Sequence, residues 1–267
     1  MRQTPPLETI RPRWKLTEHA LDSLGIVVVN MPFALRSTHI KFSMKQTIIK
    51  RLIGLLWITL SSIAFADAGT RNQEIAQCTE AELVTWGDGQ DRPTSASSLI
   101  FFYKHNGAPP WFQEQQVMNL LARASAEWSK CGIPAQVTLW QGLVENTKGI
   151  IVVQWDASGS GGHFGLANLS QNQLSLGAQA FNLLNQRNPK HNALETLQMV
   201  LAHEMGHFYG MLAHSRRCVD VLSYYNDGKG GQCYSRDPSQ LKLFTEYRST
   251  LPTACDIQRC RILNRMP

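Results

Sequence analysis

The sequence predicts one α+β domain built on a single sheet. Two observations lead to this fold class. Short runs rich in β-branched and aromatic residues alternate with two long amphipathic stretches, in the order β-α-β-β-β-α. The residues after the second amphipathic stretch show little periodicity, which predicts a loop-rich C-terminal part.

The first elements follow from local composition. Residues 97–105 are rich in β-forming side chains and predict a strand. Two prolines then open a helix, and apolar residues recur at spacings of four, three and four, so residues 111–130 predict an amphipathic helix. Residues 135–140 and 149–155 predict two more strands, the second of them buried.

The middle of the chain predicts a loop, an edge strand and the second long helix. Residues 157–165 have the composition of a loop, and residues 172–181 alternate enough to predict a strand at an edge of the sheet. A helix of roughly 18 residues is predicted to begin near Asn192 and to end at Gly210, which suits a left-handed residue after the last turn. One short helix is predicted around residues 239–247.

The positive charge lies outside the predicted domain. The formal net charge is +6, but residues 1–66 contain nine Lys and Arg against three Asp and Glu. Residues 67–267 contain seventeen of each kind and are neutral. Nucleic-acid binding requires a basic stripe on the folded domain, so the sequence predicts no nucleic-acid partner.

The N-terminal part is typical of an export signal. Residues 44–66 begin with three basic side chains, continue as fifteen uncharged and mostly apolar residues, and end in Ala-Phe-Ala. This pattern predicts a signal peptide cleaved after Ala66. Fifteen residues are too few for a membrane span, which needs about 20, so we expect no stable membrane anchor after cleavage and a secreted or periplasmic product. Residues 1–43 are then a leader, through a start assigned too early or as a disordered segment, and residues 67–267 form the domain.

The cysteines predict disulfides. All six lie after the proposed cleavage point, and an even number in an exported chain favours three cross-links. No C-x-x-C pair supports a zinc–thiolate cluster. Nothing in the sequence selects an oligomeric state. Six cysteines allow fifteen connectivities, and the sequence does not choose among them. The working hypothesis is Cys78–Cys131, Cys218–Cys233 and Cys255–Cys260.

The stretch VLAHEMGHFYGMLAHS carries the chemistry. His203 and His207 are four residues apart, so a helix places both imidazoles on one face, within reach of one Zn²⁺. Glu204 follows the first histidine and can act as general base on a water at the metal. Gly210 ends the helix, which lets His214 approach from another direction as the third protein ligand. A glycine inside the helix also suggests close packing at that turn.

This stretch resembles the metzincin metallopeptidase signature H-E-x-x-H-x-x-G-x-x-H, and it is similar to matrixin-type and related bacterial members. His214 lies one residue later than the signature requires. Either the turn contains a one-residue bulge or another side chain completes the site, and Asp220 is the nearest alternative. A less favoured option is a zincin whose third ligand is Glu246.

The resemblance extends to the turn with a methionine that metzincins place beneath the metal. Residues 218–227 resemble this turn, with Leu222 at the methionine position. Leucine and methionine have similar volumes, so the hydrophobic floor can be preserved. Tyr224 matches a tyrosine that some families of the clan place two residues on, where it can donate to a tetrahedral oxyanion. The alternative is that Tyr224 only packs.

The resemblance implies a fold and a function. The fold is zincin-like, with a twisted mixed sheet, two long helices and a loop-rich C-terminal subdomain, and residues 67–267 would form a metzincin-like peptidase domain. An edge strand at about 173–181 would pair with a protein or peptide substrate. The function would be that of a secreted zinc-dependent endopeptidase, hydrolysing peptide bonds through a zinc-activated water with Glu204 as base. The alternative is a non-catalytic exported zincin-like binding protein.

Export predicts a defined N-terminus. Intact-mass and peptide analysis of the exported protein should find a chain that begins at Asp67, because Ala66 closes the cleavage signal. An exported chain that begins upstream of Met44 would contradict both the signal peptide and the interpretation of the leader.

Overall fold

A computed structural model describes residues 69–142 and 147–266 of the chain. All of these residues belong to one unit, Ala66–Pro267. The predicted leader at 1–43 and the predicted signal peptide at 44–66 lie outside the described residues. Within the described part, no helix is both long enough and apolar enough to cross a membrane.

The sheet has five strands and is mixed, which agrees with the predicted α+β class. Along the sheet the order is β2-β1-β3-β5-β4. The pairs β2–β1, β1–β3 and β3–β5 are parallel, and the pair β5–β4 is antiparallel. The strands are β1 (Leu99–Lys104), β2 (Ala135–Leu139), β3 (Ile150–Trp155), β4 (Gly165–Asn168) and β5 (Gln173–Leu176).

The predicted edge strand at 172–181 is wrong in length and in place. Strand β5 covers only its first part and lies inside the sheet, while the unpredicted β4 forms the edge. Strand β5 ends at Leu176. The next residue is Gly177, where a side chain would collide with the carbonyl oxygen of His163. The apolar residues that follow belong to a helix, with Phe181 buried. Short apolar runs fit a strand and a helix equally well, so periodicity alone could not separate the two.

Both predicted long helices are present, and each begins within three residues of its predicted first residue. A further helix near the C-terminus was not predicted, and the short helix expected at 239–247 is a 3₁₀ turn. Residues 69–76 are also helical. The helices are α1 (Glu114–Ser129), α2 (Ala178–Arg187), α3 (Ala193–Phe208) and α4 (Ala254–Asn264), and the 3₁₀ turns are Glu80–Glu82 and Pro238–Lys242.

Helix α3 runs through the core. Every residue from Leu197 to Phe208 is buried, and the helix packs against α1 and the sheet in one apolar cluster. The indole N–H of Trp128 donates to the carbonyl of Ala202 at 2.8 Å, which joins the two long helices. A polar side chain on this part of α3 is therefore removed from water and needs a specific partner.

The three disulfides fasten α4 and one C-terminal loop. Only one predicted pair is correct; the predictions Cys78–Cys131 and Cys255–Cys260 are wrong. Both errors came from pairing neighbours in the sequence, whereas α4 returns to the end of α1 and to the N-terminal segment. The observed pairs are Cys78–Cys255, Cys131–Cys260 and Cys218–Cys233, with sequence separations of 177, 129 and 15.

Loop length predicts that the disulfide Cys131–Cys260 stabilises the fold more than Cys218–Cys233 does. Replacing Cys131 and Cys260 by serine should lower the free energy of unfolding by roughly 4–5 kcal/mol, because the unfolded chain regains a long loop. The same change at Cys218 and Cys233 should cost about 3 kcal/mol, since the loop is short. Urea unfolding of both double variants measures the two losses. Equal losses, or a reversed order, would contradict the assigned connectivity.

Candidate metal centre

Three histidines meet in the buried part of the molecule. His203 and His207 project from α3, and His214 comes from the loop that follows it. They are 3%, 8% and 1% exposed. One potential ligand atom of each lies within 4.8 Å of the other two, and the Nε2 atoms of His203 and His214 are 3.2 Å apart. The structure therefore brings together all three residues that the sequence predicted as ligands.

In all three imidazoles, Nδ1 is hydrogen-bonded to an oxygen atom outside the cluster. Each Nδ1 lies 2.7 Å from an oxygen that can only accept a hydrogen bond, so in the neutral ring Nδ1 carries the proton and Nε2 carries the lone pair. Acceptor oxygens on the outside of a histidine cluster thus fix the tautomer of every ring. The three bonds run from His203 to the carbonyl of Val221, from His207 to the carbonyl of Met211, and from His214 to the carboxylate Oδ2 of Asp88.

Burial keeps two of these rings neutral. It lowers the pKa of His203 well below its usual value, and it lowers the pKa of His207 to about 3. A histidine binds a metal only in the neutral form, so burial prepares both side chains for this role.

The donor set fits a divalent cation. Two Nε2 lone pairs that face each other at 3.2 Å repel unless a cation or a proton lies between them. In a tetrahedral zinc site with Zn–N bonds of about 2.0–2.1 Å, two ligand nitrogens lie about 3.3 Å apart. Three neutral imidazoles are also a known catalytic zinc ligand set, which leaves the fourth position for water or substrate.

The late position of His214 is accommodated by a neighbouring segment. Gly210 has a φ of 95°, and a side chain there would collide with the carbonyl of Arg92. The backbone of residues 210–216 then runs beside residues 84–92. Asp91 Oδ1 accepts hydrogen bonds from the backbone N–H groups of the two residues that precede His214, at 2.8 and 2.9 Å. The loop that carries His214 one residue late is therefore held by hydrogen bonds to Asp91.

The two alternative third ligands are engaged elsewhere. Asp220 is buried and accepts hydrogen bonds from the hydroxyls of Ser215 and Thr253, both at 2.6 Å. Burial raises the pKa of Asp220 to about 7. Glu246 binds the guanidinium of Arg248 at 2.6 Å. Among the described residues, neither carboxylate belongs to the histidine cluster.

Glu204 lies between the histidines and the sheet edge. Its side chain is buried, and Oε2 accepts a hydrogen bond of 2.8 Å from the backbone N–H of Ala167 in β4. Burial raises the pKa of this carboxyl group to about 8. Gly165, also in β4, leaves the space for this contact, because a Cβ there would lie 2.9 Å from Cγ of Glu204.

Leu222 and Tyr224 flank the cluster from the following turn. Leu222 is fully buried beneath α3. The hydroxyl of Tyr224 donates to Oδ2 of Asp88 at 3.2 Å, and its ring lies 5.0 Å from the ring of His214. The other face of the phenol packs on Trp86, with ring centroids 5.0 Å apart. Tyr224 is therefore adjacent to a candidate ligand, and it also packs.

A cavity of about 300 Å³ opens beside His207. Its apolar wall includes Leu99, Ile151 and Phe208, and two basic residues, Arg92 and Lys148, also line it. The cavity therefore lies next to the histidine cluster.

Sequence reasoning missed the carboxylates that support the third histidine. Asp88 and Asp91 stand in WGDGQD, which has the composition of an ordinary turn. They act on a loop more than 120 residues away. No spacing relates them to the histidine motif, so the sequence contains no signal that could have identified them.

Comparisons with known proteins leave the family open. No protein-family model and no curated protein matches the chain. Among solved structures, a chain of the "GM1 bound form of the ECX AB5 holotoxin" is similar at 12% identity and a TM-score of 0.41, over 71% of this chain and 92% of that chain. A likeness at this level assigns neither a fold family nor a function.

The packing beneath the histidines predicts a cost for a methyl group at Gly206. A Cβ there would lie 2.7 Å from Trp128 Cζ2 and 3.0 Å from the two Leu222 methyls, which confirms the close packing expected from a mid-helix glycine. Overpacking costs about 1–3 kcal/mol and helix propensity returns about 1 kcal/mol, so Gly206→Ala should lower stability by about 1 kcal/mol.

Helical Gly69 provides the matched control, because a Cβ there meets no atom within 4 Å. Gly69→Ala should leave stability unchanged or raise it slightly. Chemical denaturation measures both variants, and a stabilised Gly206→Ala protein would refute the packing argument.

Proposed function

We propose that this chain is a secreted or periplasmic zinc-dependent endopeptidase. One observation supports it above all others: three buried imidazoles bind acceptor oxygens through Nδ1 and direct their Nε2 atoms toward one another. His203, His207 and His214 would hold Zn²⁺. The buried carboxylate of Glu204 follows the first ligand and would act as the general base.

Bound zinc would supply Lewis acidity, lowering the pKa of a coordinated water and polarising a substrate carbonyl. Burial raises the pKa of Glu204 to about 8, and the positive charge of a nearby Zn²⁺ would lower it and favour the carboxylate. This carboxylate would accept the proton of the attacking water and deliver it to the leaving amine. Its hydrogen bond from Ala167 fixes the carboxylate against the sheet edge. A base so held needs little reorganisation before it accepts a proton.

The edge strand supplies a place for an extended substrate. Within the described residues, β4 pairs with β5 on one side and with no strand on the other. A protein or peptide chain could add to that edge through the main-chain groups other than the N–H of Ala167, which donates to Glu204. The cavity beside His207 could then receive one substrate side chain. In this proposal the substrate would pair with β4, and not with the stretch 173–181 expected from the sequence.

Tyr224 would assist at the other side of the site. Its hydroxyl is held by Asp88, which also binds His214. The hydroxyl has one proton, so it would release Asp88 in order to donate a hydrogen bond to the oxyanion that forms during peptide hydrolysis. Three disulfides are consistent with work in an oxidising compartment outside the cytoplasm.

Replacing Glu204 separates metal binding from catalysis. Glu204→Gln and Glu204→Ala should retain one zinc per chain, because neither removes a ligand, and should cleave casein or gelatin 10²- to 10⁴-fold more slowly, because the general base is lost. Metal analysis and a fluorescent casein assay measure the two properties.

His207→Ala is the matched control, because it removes a candidate ligand from the same helix. This variant should lose zinc as well as activity. Equal cleavage by the wild type and by Glu204→Gln would refute the peptidase proposal. Zinc binding without cleavage by the wild type would favour the non-catalytic binding protein.

A further inference from the structure

The third histidine is held differently from the other two. His203 and His207 extend from a buried helix and donate to backbone carbonyls. His214 stands on a loop, and its Nδ1 donates to a carboxylate that comes from a separate segment, 126 residues earlier. Nδ1 of this ring is therefore held by a side chain and not by the backbone.

Asp88 binds His214 at two points. Oδ1 accepts the backbone N–H of His214 at 2.9 Å, and Oδ2 accepts Nδ1–H of its ring at 2.7 Å. The hydroxyl of Tyr224 donates to the same Oδ2 at 3.2 Å. One carboxylate thus fixes the backbone position, the ring orientation and the tautomer of the histidine. Asp88 is partly exposed, with 30% of its side chain accessible, whereas His214 is 1% exposed.

The surrounding segment holds the loop by bonds that do not reach the ring. Trp86 N–H donates to the carbonyl of His214, and Arg92 N–H donates to the carbonyl of Gly210, at 2.9 and 3.0 Å. Asp91 binds the two residues in between and is itself paired with Arg259 at 2.7 Å. The backbone of the loop is therefore positioned by bonds that do not involve the imidazole, whereas Asp88 accepts the hydrogen bond of the imidazole Nδ1–H.

We propose that Asp88 is the positioning residue of this metal centre: it holds His214 in the Nδ1–H tautomer, and so makes a histidine on a lengthened loop a competent third ligand. The proposal rests on the metal binding of the proposed function. A charged acceptor strengthens the bond to Nδ1–H and makes Nε2 a better donor to a cation. Outer residues of this kind typically change metal affinity 10- to 100-fold when replaced.

Asp88→Asn is the decisive substitution, because it keeps the shape and removes the charge. The amide N–H₂ of asparagine can donate to Nδ1, which favours the Nε2–H tautomer, and in that tautomer Nε2, the nitrogen that faces His203, has no lone pair for a metal. We expect zinc affinity to fall 10- to 100-fold, measured by competition with a fluorescent chelator of known affinity. In the metal-free protein, two-bond ¹H–¹⁵N NMR should show the proton of His214 on Nδ1 in the wild type and moved partly or wholly to Nε2 in the variant.

Asp91→Asn is the matched control. It makes the same chemical change in the same segment, but Asp91 touches the loop backbone and not His214. It should lower the melting temperature and leave the His214 tautomer unchanged. A tautomer change in Asp91→Asn equal to that in Asp88→Asn would overturn the specific role of Asp88. A wild-type His214 ring that has its proton on Nε2 and none on Nδ1 would overturn it without any variant.

The outcomes separate this proposal from the peptidase proposal. If wild type and Asp88→Asn bind zinc equally and have the same tautomer, the role of Asp88 is refuted and the peptidase proposal is unaffected. If the wild type binds no zinc, the peptidase proposal fails. A tautomer shift confined to Asp88→Asn would still support the positioning of His214 in that case.

Discussion

Everything at the centre of this protein depends on where three imidazole protons are placed. Three acceptor oxygens draw the Nδ1 protons outward, so three lone pairs face one another in a region that water does not solvate freely. Such an arrangement is electrostatically unfavourable without a positive charge. The fold provides two of these acceptors as backbone carbonyls and the third as a carboxylate. The direction of the lone pairs is therefore set by the acceptors and not by the histidines alone.

Helix α4 braces this arrangement from outside. Asp256 accepts the N–H of Val221 at 3.0 Å, and the carbonyl of the same residue accepts Nδ1–H of His203. Arg259, one turn later, pairs with Asp91 and so reaches the loop that carries the third histidine. Two disulfides fasten the helix at both of these levels. A single short helix thus supports ligands on two different elements.

The sequence was informative where function depends on local spacing. The separation of His203 and His207, the left-handed Gly210 and the apolar stripe of α1 all follow from helix geometry, and each was predicted. The zinc ion, the peptidase activity and the metzincin relationship stay proposals. Helix α4 was missed for a physical reason: its buried face consists of Cys255, Asp256, Arg259 and Cys260, so it has no apolar periodicity.

Features that depend on contacts between distant parts of the chain could not be predicted from local sequence patterns. Strand β4 is four residues long, and its first residue, Gly165, has no side chain to show a pattern. The wrong disulfide pairs and the unpredicted Asp88 both concern contacts between distant parts of the chain. Such contacts are decided by packing of the whole domain. Hydrophobic periodicity reports only which face of one element is buried.

The position of α4 near the end of the chain sets the order in which the molecule can be completed. The ribosome produces the histidine helix about 50 residues before the helix that braces it, and both cysteines of that brace remain thiols in the reducing cytoplasm. Until these disulfides form, the chain contains the three histidines without the fastened helix that supports the segments around them. For the exported peptidase proposed above, this delay would keep the centre incomplete inside the cell that synthesises it.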